Sequence, residues 1–229
     1  MKAFVCWSGG KDSCLSLYKV MEWTTTDGYP YKITYLLNML SKNGQRSRSH
    51  GISASLLKLQ AEAIGIPIVQ QRTDKNYEEE FKKAVLSEKD VDAGVFGDID
   101  LQVHRDWVEK VCKDLDVQPI LPLWEEKRQD LMDEFIQAGF KAVVVSTNTK
   151  FLGKEWLGRE INRQFVEDLK VFGNIDLCGE GGEYHSFVYD GPIFKKPVDW
   201  TAGEKTLKNN RWFLDILPNK EVIPIHFQK

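Results

Sequence analysis

The sequence predicts an α/β fold, a parallel sheet covered by helices, followed by a smaller α+β part. Three observations carry that reading. Short apolar runs alternate with longer segments of helical period as far as Pro119. The first apolar run passes through a glycine pair directly into a helical segment. After Pro119 the rhythm breaks and resumes in a different order.

Residues 2–7 read as the first strand, and 12–23 as a helix to which Leu15, Leu17, Tyr18, Val20 and Met21 give an apolar side. A second strand is expected over 33–40. The second helix, 53–64, repeats Leu56, Leu59 and Ala63 at three and four residues. The short β-branched run 66–69 is a third strand. Helix 77–86, a buried strand 94–97 and helix 103–115, with Val108, Val111 and Leu115 in register, complete four units. Pro119, Pro122 and the charged cluster 124–128 then set a boundary, giving parts 1–122 and 123–229. Beyond it we expect a helix over 131–138, a strand over 142–146, a long amphipathic helix over 156–169, and strands at 186–189, 212–217 and 222–227.

The 229 residues carry 31 Lys and Arg against 34 Asp and Glu, a formal charge of −3, with 42% hydrophobic residues. That is enough chain for a core without staples, and the charge does not favour nucleic acid as a partner. No apolar run reaches the roughly 18 to 20 residues of a membrane span. Cys6, Cys14, Cys112 and Cys178 are scattered, so neither a zinc site nor a redox dithiol is indicated. The opening run is too short for a secretory leader, and a reducing cytoplasm is expected.

Ser8-Gly9-Gly10-Lys11-Asp12-Ser13 leaves the first strand and enters the first helix. Paired glycines let the backbone approach an anion, and the helix start offers free N–H groups and the positive end of its dipole. Ser8 and Ser13 add hydroxyl donors, and Lys11 adds a charge suited to β and γ phosphates. The G-x-x-x-x-G-K-[ST] and G-x-G-x-x-G spacings are both absent. Asp12 either caps the helix or helps hold Mg²⁺. A second cluster, Cys178-Gly-Glu-Gly-Gly-Glu-Tyr-His-Ser-Phe-Val188, sets Glu180 and Glu183 among Gly179, Gly181 and Gly182. It is either an acidic turn or a loop that binds a cation, an amine or a metal-bound phosphate.

The first cluster resembles the PP-loop of the N-type ATP pyrophosphatases, which cleave ATP between the α and β phosphates. Both together resemble the diphthine–ammonia ligase family over about residues 2–194, including the stretches Ile64-Gly-Ile-Pro67 and Trp156-Leu-Gly-Arg159. The resemblance implies a Rossmann-like sheet of the HUP, or adenine nucleotide alpha hydrolase-like, type. It implies ATP with Mg²⁺, and an enzyme that adenylates a carboxylate and amidates it with ammonium. The family's best known acceptor is diphthine on elongation factor 2. One departure stands out: His185-Ser186 follow Tyr184 where established diphthamide enzymes commonly carry Glu-Thr. That variant resembles a sister group acting on other carboxylates, among them a corrinoid intermediate.

Within this frame Lys11, Asp12, Glu180 and Glu183 are the catalytic candidates. His50, Gly97 and Asp98 join residues 8–13 as nucleotide contacts, because they fall at the expected carboxyl ends of strands. A solvated basic loop around His50 and a helix cap at Asp98 are the plainer alternatives. Arg105, Arg159, Gly181, Gly182, Tyr184 and His185 are candidates for the acceptor, with helix-surface roles for the arginines left open. A nucleotide sensor without turnover is the non-enzymatic alternative, and an isologous homodimer is compatible with the chain.

Overall fold

The computed structural model describes residues 1–26, 31–88 and 90–219, and the strand expected at 222–227 lies outside them. Strands β1 (Lys2–Cys6), β2 (Lys32–Leu40), β3 (Ile68–Arg72), β4 (Ala93–Val95) and β5 (Gln118–Ile120) form one sheet in the order β3-β2-β1-β4-β5, every pair parallel. Helices α1 (Lys11–Thr26), α2 (Ala54–Ile64), α3 (Tyr77–Ser87) and α4 (Gln102–Leu115) are the crossovers. This is the helix-covered parallel sheet expected from the alternation, and the Rossmann-like type that the resemblance implied. Because β1 alternates, Ala3, Val5 and Trp7 enter one core with α1 and α2, while Phe4 enters another with α3 and α4. There Phe4 stacks on Tyr35 at 5.7 Å and meets the edges of Phe81 and Phe96.

After α5 (Arg128–Gln137) the chain forms an antiparallel sheet in the order β7-β6-β9-β8 from β6 (Lys141–Asn148), β7 (Tyr184–Asp190), β8 (Trp200–Lys208) and β9 (Arg211–Pro218). Its core is continuous with that of α1 and α2. Phe140 stacks on Phe135 of α5 at 4.8 Å and meets the edge of Tyr18 of α1 at 5.8 Å.

Several expectations are corrected. The third strand starts two residues late, at Ile68, because Ile66 still donates to Ala61 at the end of α2. Pro119 lies inside β5, a strand the sequence reading missed. Gln118 and Ile120 bond to the β4 side, so Pro119 faces outward, where its missing N–H breaks no ladder. The helix expected over 156–169 is in fact one 3₁₀ turn, Lys154–Trp156, a bend, and then α6 (Arg163–Val171). Gly158 takes φ +84°, and residues 158–161 bond along β6 through Gly158 N–H to Val144 O and Ile161 N–H to Ala142 O. Asn162 then caps α6 by accepting from Phe165 N–H. Arg159 is therefore not on a helix. Strand β8 was also missed, because nearly all of its residues are exposed and no apolar alternation marks it.

Candidate active site

The glycine loop runs from the carboxyl end of β1, beside the switch between the β2 and β4 sides of the sheet, into α1. Gly9 adopts φ +79°, and a Cβ on it would lie 2.4 Å from Leu57 Cδ2. The Gly9 carbonyl accepts from Val188 N–H at 3.0 Å and from Gln60 Nε2 at 3.1 Å. Gly10 donates to Ser8 Oγ, and its carbonyl accepts from Ser13 Oγ. Lys11 N–H, one of the groups a helix start leaves without an internal partner, donates to Ser186 Oγ at 3.1 Å. Strand β7 thus fixes the loop from the second sheet.

Loop and sheet ends enclose a cavity of about 540 Å³. Ser8, Lys11, Asp12, Ser13, His50, Gly97, Asp98, Glu180, Gly182, Tyr184 and His185 line it, so most of the expected site residues meet here although the sequence separates them by more than 170 positions. Lys11 is only 3% exposed and reaches Asp12 Oδ1 at 2.6 Å. Burial works against its charge, but the Asp12 carboxylate together with the neighbouring Tyr184 and Cys178 outweighs burial and holds the ammonium protonated. Burial lifts the Asp12 carboxyl in the opposite sense, against the pull of Lys11. With 27% of the Asp12 side chain still exposed, the geometry favours the ion pair.

Glu180 faces the same cavity. Burial, with Asp12 and Asp98 adding to it, pushes its carboxyl up to about 7, and the Lys11 ammonium and the Ile99 N–H offset part of the rise. His104 pairs with Asp98 at 3.1 Å, which raises its own titration. His50 donates from Nδ1 to Ser186 O and stacks on His185 at 4.5 Å. Burial drives His50 down to about 4 and lowers His185 as well, so the pair is neutral at physiological pH. Tyr184 lies under the Lys11 ammonium at 5.8 Å and donates its hydroxyl to Leu177 O. Arg128 grips Asp100 and Asp176, joining the β4 loop to the glutamate loop.

Other expected residues lie elsewhere. Glu183 is buried, and its Oε2 has no hydrogen-bond partner. Gly181 sits on the exposed side of that loop. Arg105 pairs with Glu109 and covers Trp124, while Arg159 pairs with Asp168 and covers Trp156. Neither arginine lines the cavity. The sequence reading missed Gln60, which is fully buried: its Oε1 accepts from Trp7 Nε1 at 2.8 Å, and its Nε2 donates to Gly9 O and to Val188 O. A glutamine on the apolar stripe of α2 was the available signal. Asn38 was missed too; it lines the cavity, gives Nδ2 to Trp7 O and leaves a buried Oδ1 unpaired. Among the described residues no group of three or more His, Cys, Asp or Glu is placed to hold a metal by itself.

Comparison with known proteins locates this arrangement. The diphthine–ammonia ligase of Mus musculus is 28% identical over 230 residues, covering 87% of this chain and 83% of that protein. The human enzyme of the same name is also 28% identical, covering 83% of this chain and 79% of its own. A solved structure from Methanocaldococcus jannaschii, titled as a predicted subunit of tRNA methyltransferase, aligns over 86% of this chain with a TM-score of 0.44 and 15% identity. The family model of the diphthamide synthase N-terminal domain matches residues 1–119, which carry the glycine loop, and that of the C-terminal domain matches 127–222, which carry the glutamate loop. With the glycine loop and the glutamate loop inside those two matches, which together span most of its length, the chain belongs to the diphthamide synthase family.

Proposed function

We propose that this protein is an ATP-dependent carboxylate–ammonia ligase and that its acceptor is diphthine, the acid named in its ligase relatives, borne on elongation factor 2 as the family resemblance implies. The observation that carries the reading is the meeting of residues 8–13 with Glu180 at one cavity. The donors there fit a nucleoside triphosphate: hydroxyls of Ser8 and Ser13, a helix start and the Lys11 ammonium suit its phosphates. Asp12, with Asp98 nearby, suits Mg²⁺ riding on the phosphates, which neutralises their charge when bound. We assign ATP to residues 1–122 and the acceptor mainly to 123–229.

An acceptor carboxylate oxygen forms a bond to the α-phosphorus as the bond to the bridging oxygen breaks and pyrophosphate leaves. Lys11 stabilises that departing charge, and the loop holds the phosphates in line. Ammonia then bonds to the acyl carbon and AMP leaves. Glu180, titrating near neutrality, takes the proton that ammonium must lose. The test is product formation: repeated turnover to AMP should require acceptor and ammonium together, and acceptor without ammonium should release pyrophosphate for no more than one turnover. Lys11→Ala should lower the rate about 10²- to 10³-fold. AMP formed without an acceptor, or an undiminished rate in Lys11→Ala, refutes the reading.

A further inference from the structure

Arg128 opens α5, the helix between the parallel and the antiparallel sheet. A cation in the first turn of a helix opposes the dipole, and Lys127 before it gives no side-chain cap, so its own helix does not account for this arginine. Its guanidinium instead spans two loops. Nη1 and Nη2 donate to the two Asp100 oxygens, the second at 2.9 Å, and Nε donates to Asp176 Oδ2. Asp100 stands near the end of the loop after β4 that brings Gly97 and Asp98 to the nucleotide cavity. Asp176 begins the glutamate loop: its Oδ1 accepts from Cys178 N–H at 2.8 Å, and Cys178 Sγ donates to the Arg128 carbonyl.

A lone surface ion pair contributes little. This one is bidentate at Asp100, shared by three residues, and closed over Asp176, whose side chain is only 13% exposed. Next to the clasped points lie Ile99, whose N–H favours the charged Glu180 carboxyl, and Glu180 itself, two residues beyond Cys178. The far end of the loop has its own anchor, Arg211 Nη2 on Gly182 O at 2.7 Å. We propose that Arg128 is a positioning residue for the amide-forming step: it clasps the glutamate loop to the β4 loop, so that the Glu180 carboxyl stays at the cavity to take the ammonium proton. This rests on the ligase reading above. The clasp serves one half of that reaction. Adenylation relies on residues 8–13, which Ser186, Gln60 and Val188 hold in place. Proton removal relies on Glu180, and a reacting group displaced by about 1 Å can cost about 10²-fold in rate.

Arg128→Ala and Asp176→Asn test it, with diphthine-bearing elongation factor 2 as acceptor. Without ammonium, the rate of pyrophosphate release in the first turnover should stay within about threefold of the parent in both variants, as should Mg·ATP affinity. With ammonium, turnover should fall about 10- to 100-fold. Ethylguanidinium at millimolar concentration should raise the turnover of Arg128→Ala about tenfold and leave Asp176→Asn unchanged, because it restores the missing donor fork and not the missing charge. A variant that merely folds less well would lose both halves of the reaction together. Arg128→Ala that keeps turnover within about threefold of the parent, or that loses pyrophosphate release and turnover in equal proportion, would overturn the proposal. A parent protein that releases no pyrophosphate with acceptor present would instead overturn the ligase reading. Amide hydrogen exchange then reads the clasp by itself: residues 177–182 should exchange about tenfold faster in Arg128→Ala, and an unchanged rate would overturn the clasp.

Discussion

Glu180 is held where a carboxyl ionises only near neutrality, beside Asp12 and Asp98 and away from bulk water. A base raised in this way works only once it has lost its proton. The ligase rate should therefore climb about tenfold per pH unit below 7 and level off above it. Glu180→Gln should remove that limb and lower kcat about 10²- to 10⁴-fold while leaving Mg·ATP affinity near that of the parent; a pH–rate profile of the two proteins checks both statements. That Lys11 and Asp12 line a cavity was legible from the glycines, charges and hydroxyls concentrated at residues 8–13, whereas for Glu180 the spacing left an acidic turn open and the family resemblance made the choice. Gln60, Ser186 and Arg211 were not, because each acts through a partner more than 25 residues distant. Arg159, an acceptor candidate in the sequence, is engaged by Asp168 and the Trp156 ring instead, partners that the local sequence does not announce.

Among the elements, α2 does more than cover the sheet. Through Gln60 it bonds the end of β1, the glycine loop and β7 at once. Gln60→Leu would leave the Trp7 indole N–H and the Val188 carbonyl buried without partners, a cost of about 2–5 kcal/mol by the usual penalty for orphaned groups. It should also loosen Gly9. The expected outcome is a lower melting temperature together with about tenfold weaker ATP binding, read by thermal denaturation and by nucleotide titration. Elements with a clean period were legible, as α2 and α4 show. Those that failed had a period disguised or missing: Pro119 masked β5, nearly all of β8 is exposed and no apolar alternation marks it, and Gly158 broke what looked like one helix into a turn and α6. In each case a contact with a neighbouring strand, invisible locally, overrode the local signal.

For the molecule as a whole, the apolar core runs without interruption from α1 and α2 beneath the parallel sheet into α5, β6 and β7. A shared core should melt as one. Thermal unfolding followed by far-ultraviolet and by near-ultraviolet circular dichroism should give superimposable curves. Phe140→Ala, which removes the ring between Tyr18 and Phe135, should lower stability by about 3–5 kcal/mol without splitting the transition. The reading of two sequence parts conveys none of this continuity, because periodicity records which face of an element is apolar and not which element lies against it. The outward imino acid of β5 has an effect at this scale as well. A sheet rim ordinarily offers a row of amide hydrogens on which a stray extended chain can zip itself, the first step toward fibres. Here the outermost strand shows a gap in that row, so crowded copies of the protein find no seam to join along that flank.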